Sequence, residues 1–121
     1  MPTVVVVIEE DIAMRALIGE WLAADAYEVH GESPGKVAAP PRADLVIVDL
    51  PNLRASDAAH LRAVQARHPG AALIGLSTQL GRSLPSGASA ARRLGVTRLL
   101  AKPCTRAELM HAVAEAVGPA R

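Results

Sequence analysis

The chain has no phenylalanine and only one tryptophan, one tyrosine and one cysteine. Its core must therefore be built from Val, Leu, Ile and Ala, and it lacks the stacking side chains of a single-strand nucleic-acid binder. The lone Cys104 excludes an internal disulfide framework and fits a reducing compartment. No segment approaches the ~20 apolar residues that a membrane span needs. The longest apolar run, Val4 to Ile8, stops at Glu9-Glu10-Asp11. The N-terminus has neither the basic region nor the long apolar stretch of a signal peptide. These absences lead to the expectation of a soluble, cytoplasmic protein with no membrane partner. A length of 121 residues fits one domain, residues 1–121, that buries one core without metal or disulfide.

Acid is missing from the middle of the chain: no Asp or Glu lies between Asp57 and Glu108. Residues 1–57 hold ten Asp/Glu against four Lys/Arg, a balance of −6. Residues 58–121 hold two against nine, a balance of +7, and the two sum to the net charge of +1. Either the halves attract one another across one fold, or a basic face in the second half meets an acidic partner.

What is present alternates between two periodicities. Thr3 to Ile8 and Asp44 to Asp49 are β-branched runs without polar alternation, as in strands buried on both faces. Tyr27 to His30, Ala71 to Leu76 and Arg98 to Ala101 read as three further strands. Ile12 to Ala24 carries Met14, Leu17, Ile18, Trp21 and Leu22 at helical spacing behind a capping Asp11. Ser56 can cap a helix to about His68, with Ala59, Leu61, Val64 and Ala66 as its apolar positions. Ala88 to Leu94 reads as a short helix. Thr105 to Glu108 is a capping box that opens the last helix, which Gly118-Pro119 closes. Strands alternating with helices imply a parallel sheet covered on both sides. The segment SPGKVAAPPR, residues 33–42, holds three prolines, so the second crossover helix is expected to be short or missing.

In such a sheet the working site lies beyond the carboxyl ends of the strands. Strand one ends in Glu9-Glu10-Asp11, strand three in Asp49, strand four in Ser77-Thr78 and strand five in Lys102-Pro103. If strands one and three are neighbours, about 4.8 Å apart, their carboxylates can share a small divalent ion. Mg²⁺ accepts one or two carboxylates together with phosphate oxygens and water. A carboxylate beside Mg²⁺, a lysine and a hydroxyl is placed to attack a phosphoryl group and hold it as an acyl phosphate.

Over its full length the chain resembles the receiver domain of two-component response regulators. The matching pieces, in order, are VVVVIEEDIAMRALIGEWL, DLVIVDL, LIGLST and RLLAKP. The resemblance implies an α/β fold: a flavodoxin-like three-layer sandwich around a five-stranded parallel sheet of order 2-1-3-4-5. It implies Asp49 as phosphoacceptor, with Lys102 contacting the phosphoryl group and Ser77 as the responsive hydroxyl. It implies Mg²⁺ held by Glu9, Glu10, Asp49 and the Pro51 backbone carbonyl, and a cis Lys102-Pro103 bond. The phosphodonor would be a histidine kinase or a histidine phosphotransfer protein. Output would pass through protein contact, no DNA-binding domain being expected after residue 121. The basic face at Arg92, Arg93, Arg98 and Arg106 falls on the family's signalling surface. The domain itself is expected not to be an enzyme beyond its own phosphorylation and dephosphorylation.

The sequence departs from the family pattern at the site. Glu10 stands where Asp is usual, one C–C bond or ~1.5 Å longer. Pro51 stands where the family uses a backbone N–H for the phosphoryl group, and proline has none. Leu99 replaces the usual switching aromatic, and Cys104 the Phe that often follows Lys-Pro. These departures support an alternative, a degenerate receiver that binds partners without phosphorylation. A small hydrolase built on Asp49 lacks a pocket- or lid-forming segment. The histidines His30, His60, His68 and His111 show no metal-ligand spacing and read as surface or satisfied groups. Gly35-Lys36 follows no phosphate-loop pattern.

Overall fold

The computed structural model describes residues 3–32, 42–53, 55–81, 83–84 and 88–118. The elements run β1 (Val4–Ile8), α1 (Ile12–Ala24), β2 (Glu28–Glu32), β3 (Leu45–Asp49), α2 (Ala55–Arg67), β4 (Ala72–Ser77), α3 (Ser89–Leu94), β5 (Arg98–Ala101) and α4 (Arg106–Val117). All four strand pairings are parallel and the sheet order is β2-β1-β3-β4-β5. This is the expected flavodoxin-like arrangement. The expectation of a stunted second crossover helix concerns residues 33–41, which lie outside the described residues, as does Pro119.

The unbroken apolar strands are explained by two cores, one on each face of the sheet. Successive strand side chains point to opposite faces, so Val5 and Val7 enter one core while Val6 and Ile8 enter the other. The first core takes Ile18 and Leu22 of α1 with Leu109, Ala112 and Val113 of α4. The second takes Leu61 and Val64 of α2 with Ala91 of α3. Helices α1 and α4 therefore cover one face, and α2 and α3 the other.

Local signals set the helix ends. Asp11 accepts the Met14 N–H at 3.1 Å and caps α1. Along α1 the buried stripe is Met14, Ile18, Trp21 and Leu22, while Leu17 is 39% exposed. Leu17 precedes Ile18 by one residue, about 100° round a helix, so it falls off the core-facing side expected for it. In α2 only Leu61 and Val64 face the core; Ala59 and Ala66 are exposed. Helix α2 begins at Ala55, which puts Ser56 inside it instead of at its cap. The Thr105–Glu108 capping box is present as expected. Hydrogen bonds from the Thr105 N–H and the Ser83 hydroxyl hold Glu108 below the usual carboxylate range.

The outer edge of β5 is covered by its own chain. Leu84 N–H donates to the Leu99 carbonyl at 3.0 Å, and Ala101 N–H to Ser83 Oγ at 2.9 Å. Arg98 Nε closes the contact on the Leu84 carbonyl at 3.1 Å. An open strand edge is a template for pairing with other chains, and the Ser83-Leu84 pair occupies part of this one. No helix among the described residues is long and apolar enough to cross a membrane.

Candidate functional site at the carboxyl ends of the strands

Strand register brings the polar strand ends to one rim. Ile8 aligns with Val48, Asp49 with Leu76, and Ser77 with Ala101. By this register Glu9 stands level with Asp49, Ser77 one residue further along and Lys102 two residues further along. Residues far apart in sequence meet because the strands are parallel and end within two residues of one another in register.

Lys102 is the centre of the cluster. Its Nζ donates to Glu9 Oε1 at 2.8 Å and to Asp49 Oδ1 at 3.0 Å. Glu9 is 2% exposed, Lys102 14% and Asp49 18% at the side chain. Burial by itself lowers the Lys102 pKa; the hydrogen bonds and charges of Glu9 and Asp49 outweigh it and raise it above its ordinary 10.5. The ammonium is held charged between two carboxylates, and Asp49 keeps an opening to solvent. The Lys102-Pro103 bond is cis, as expected, and the Lys102 N–H donates to the Ser77 carbonyl at 2.9 Å. Ser77 is fully buried, and its Oγ accepts the Gln79 N–H at 3.1 Å.

The expected metal set is assembled only in part. Glu10 is exposed while Glu9 is buried, because consecutive residues leaving a strand point opposite ways. No group of three or more His, Cys, Asp or Glu able to hold a metal occurs among the described residues. Pro51 is exposed on the loop after Asp49. One observation does fit a cation: Glu9 Oε2 is buried with no hydrogen-bond partner among the described residues. Glu9 and Asp49 thus fit a Mg²⁺ that takes two carboxylates and completes its shell with water and phosphate oxygens. Cys104, behind Pro103, is buried, and that burial pushes its thiol pKa up, which makes it a poor nucleophile.

No protein-family model and no curated protein sequence matches the chain. Solved structures do. A response regulator protein from Burkholderia multivorans is 29% identical with a TM-score of 0.68, covering 100% of this chain and 99% of that one. A response regulator from Thermotoga maritima gives a TM-score of 0.73 at 17% identity, covering 97% and 98%. A chemotaxis response regulator of Vibrio cholerae gives 0.72 at 20% identity, covering 96% and 99%. The chain has the fold of response-regulator receiver domains.

Within this fold three features are not evident from the sequence. Asp57, 5% exposed, turns back from the first turn of α2 and its Oδ2 accepts the N–H groups of Asn52, at 2.9 Å, and of Leu53. It thereby holds Leu53 at φ 56°, a left-handed conformation that costs a bulky residue about 1–3 kcal/mol. An acid in the first turn of a helix is the signal that could have found it. Gly75 is the second feature. A Cβ there would stand 2.5 Å from Leu50 Cδ1 and 2.8 Å from Leu99 Cδ2. Leu50, next to Asp49, and the fully buried Leu99 therefore close over Gly75, so Leu99 lies inward. Third, the Arg15 Nη1 donates to the Glu9 carbonyl at 3.0 Å and steadies the end of β1.

The expected basic face is divided. Arg92 and Arg93 are exposed on α3. Arg98 is ion-paired with Glu115 of α4, and Arg106 reaches Asp25 at 3.5 Å, beyond the end of α1. These two arginines serve contacts within the domain. Of the histidines, His68 is buried, while His30 meets Glu28 at 3.0 Å.

Proposed function

We propose that this receiver domain accepts a phosphoryl group on Asp49 and passes the signal on through protein contact. The observation that carries this reading is the cluster itself, a solvent-reachable Asp49 carboxylate fixed by the Lys102 ammonium beside the buried Glu9. The donor is the phosphohistidine of a histidine kinase or phosphotransfer protein. Its N–P bond breaks as a P–O bond forms to Asp49, and the imidazole leaves. The group gains charge on transfer, and Lys102 is placed to offset it. Glu9 and Asp49 are the residues that would hold Mg²⁺, which supplies further neutralisation of the phosphoryl oxygens. The reaction is stoichiometric modification of the domain, not turnover of a substrate.

A second reading, a degenerate receiver acting without phosphorylation, is favoured by three details. Glu10 is exposed, Pro51 offers no N–H, and Lys102 already spans both carboxylates. One experiment separates the two. The protein is incubated with acetyl phosphate and Mg²⁺ and read by intact mass. Addition of one phosphoryl group to the wild type and none to Asp49→Asn is expected. No addition to either protein gives the second reading the lead, and equal labelling of both removes Asp49 from its role.

A further inference from the structure

Sorting the charged residues by face shows a division that is sharper in space than in sequence. The exposed carboxylates Glu10, Asp11, Glu20, Asp25, Glu28, Glu108 and Glu115 all belong to α1, β2, α4 and the turns beside them. On the opposite face, the only acid within α2 or α3 is Asp57, and it is buried under the Asp49 loop. Among the described residues of these two helices the exposed charges are Arg62, Arg92 and Arg93, and neither helix has an exposed carboxylate.

These arginines sit on two helices that touch. Gln65 Nε2 donates to the Gly95 carbonyl at 3.4 Å, which ties α2 to the end of α3. Arg62 lies three residues before Gln65 on the same side of its helix, and the Gly95 N–H returns to the carbonyls of Ala91 and Arg92. Beside Arg62 the surface of α2 is low: Ala59, Ala63 and Ala66 are exposed at successive turns. Arginine forks above short side chains suit planar carboxylates approaching closely on another protein surface. Both helices also leave loops of the rim, α2 following the Asp49 loop and α3 following Ser77.

We infer that the α2–α3 face, centred on Arg62, Arg92 and Arg93, is a docking surface for a carboxylate-rich segment of a protein partner. It shares Arg92 and Arg93 with the surface expected from sequence and differs from it in that Arg98 and Arg106 are engaged within the domain and Arg62 joins instead. The inference does not depend on phosphorylation of Asp49. A nucleic acid is the weaker fit, because α2 and α3 contain no Phe, Tyr or Trp to stack on a base.

The test uses the whole chain and a short oligo-glutamate peptide, mapped by amide NMR shifts. Binding at low salt should perturb α2 and α3, and R62E/R92E/R93E should weaken it at least about tenfold while the circular dichroism spectrum is unchanged. Raising the ionic strength from about 0.01 M to about 1 M, which cuts the Debye length from about 30 Å to about 3 Å, should abolish it. R98Q/R106Q should leave it unchanged. Absence of binding, shifts centred elsewhere, or equal binding by the triple variant would overturn the inference. So would tighter binding of an oligothymidylate of equal length, which would assign the face to nucleic acid. Self-association that the triple variant abolishes would also overturn it, by making a second copy the occupant.

Discussion

Glu9 and Asp57 are both almost fully buried, at 2% and 5% exposure, yet one is met by an ammonium and the other by backbone amides. The charged partner of Glu9 is Lys102, 93 residues away, and the partners of Asp57 lie four and five residues before it. The first arrangement exists only when β1 and β5 are brought into register through β3 and β4. The second exists as soon as the first turn of α2 forms. A third kind of pairing, Arg98–Glu115 and Arg106–Asp25, lies at the surface and adds little. The same charge chemistry thus carries three different energetic weights, set by burial and by how the partner is delivered.

Breaking the non-local pairing should cost most. Lys102→Met removes the ammonium and leaves Glu9 buried and uncompensated, an expected loss of about 3–5 kcal/mol in urea unfolding at pH 7. The alkaline limb sharpens the point. Because the folded pKa of Lys102 is raised, its contribution is fully present below the ordinary 10.5 and is lost as pH rises through the higher folded value. Wild type should lose stability there, and the variant should lack that particular loss. A variant as stable as wild type at pH 7 would show that Glu9 is satisfied by other means.

The local pairing should cost less. Asp57→Ala leaves the Asn52 and Leu53 N–H groups without their acceptor and releases the strained turn. About 1.5–3 kcal/mol is expected for lost hydrogen bonds to a charged group, checked by denaturant midpoints. Unlike the Lys102 variant, its deficit should not shrink across the alkaline limb. The smallest effects belong to the surface. Arg98→Gln and Arg106→Gln should each cost about 0–1 kcal/mol and less at high salt. A larger, salt-insensitive loss from Arg98→Gln would mean that its bond to the Leu84 carbonyl, holding the cover over β5, outweighs its ion pair.

Much of the local architecture was legible because it is local. Asp11 and the Thr105–Glu108 box announce helix starts within four residues, and strand runs such as LVIVD announce two-sided burial. The order 2-1-3-4-5 and the cis Lys102-Pro103 bond followed from the resemblance. Where the reading failed, the missing information was directional. Leu17 was assigned to the buried stripe although one step along α1 turns it outward. Glu10 was grouped with Glu9, but adjacent residues diverge. Arg98 and Arg106 belong to the expected basic face, but their partners, Glu115 and Asp25, come from other elements.

The sequence by itself determined the elements, the aliphatic double core and the set of polar residues at the strand ends, since each depends on spacing along one segment. Only the tertiary structure decided that Glu9 and not Glu10 meets Lys102, that Leu50 and Leu99 close over Gly75, and that Arg62, Arg92 and Arg93 lie exposed on the α2–α3 face. Those outcomes depend on the relative height of strands and the packing of helices from distant segments, and no local periodicity encodes them.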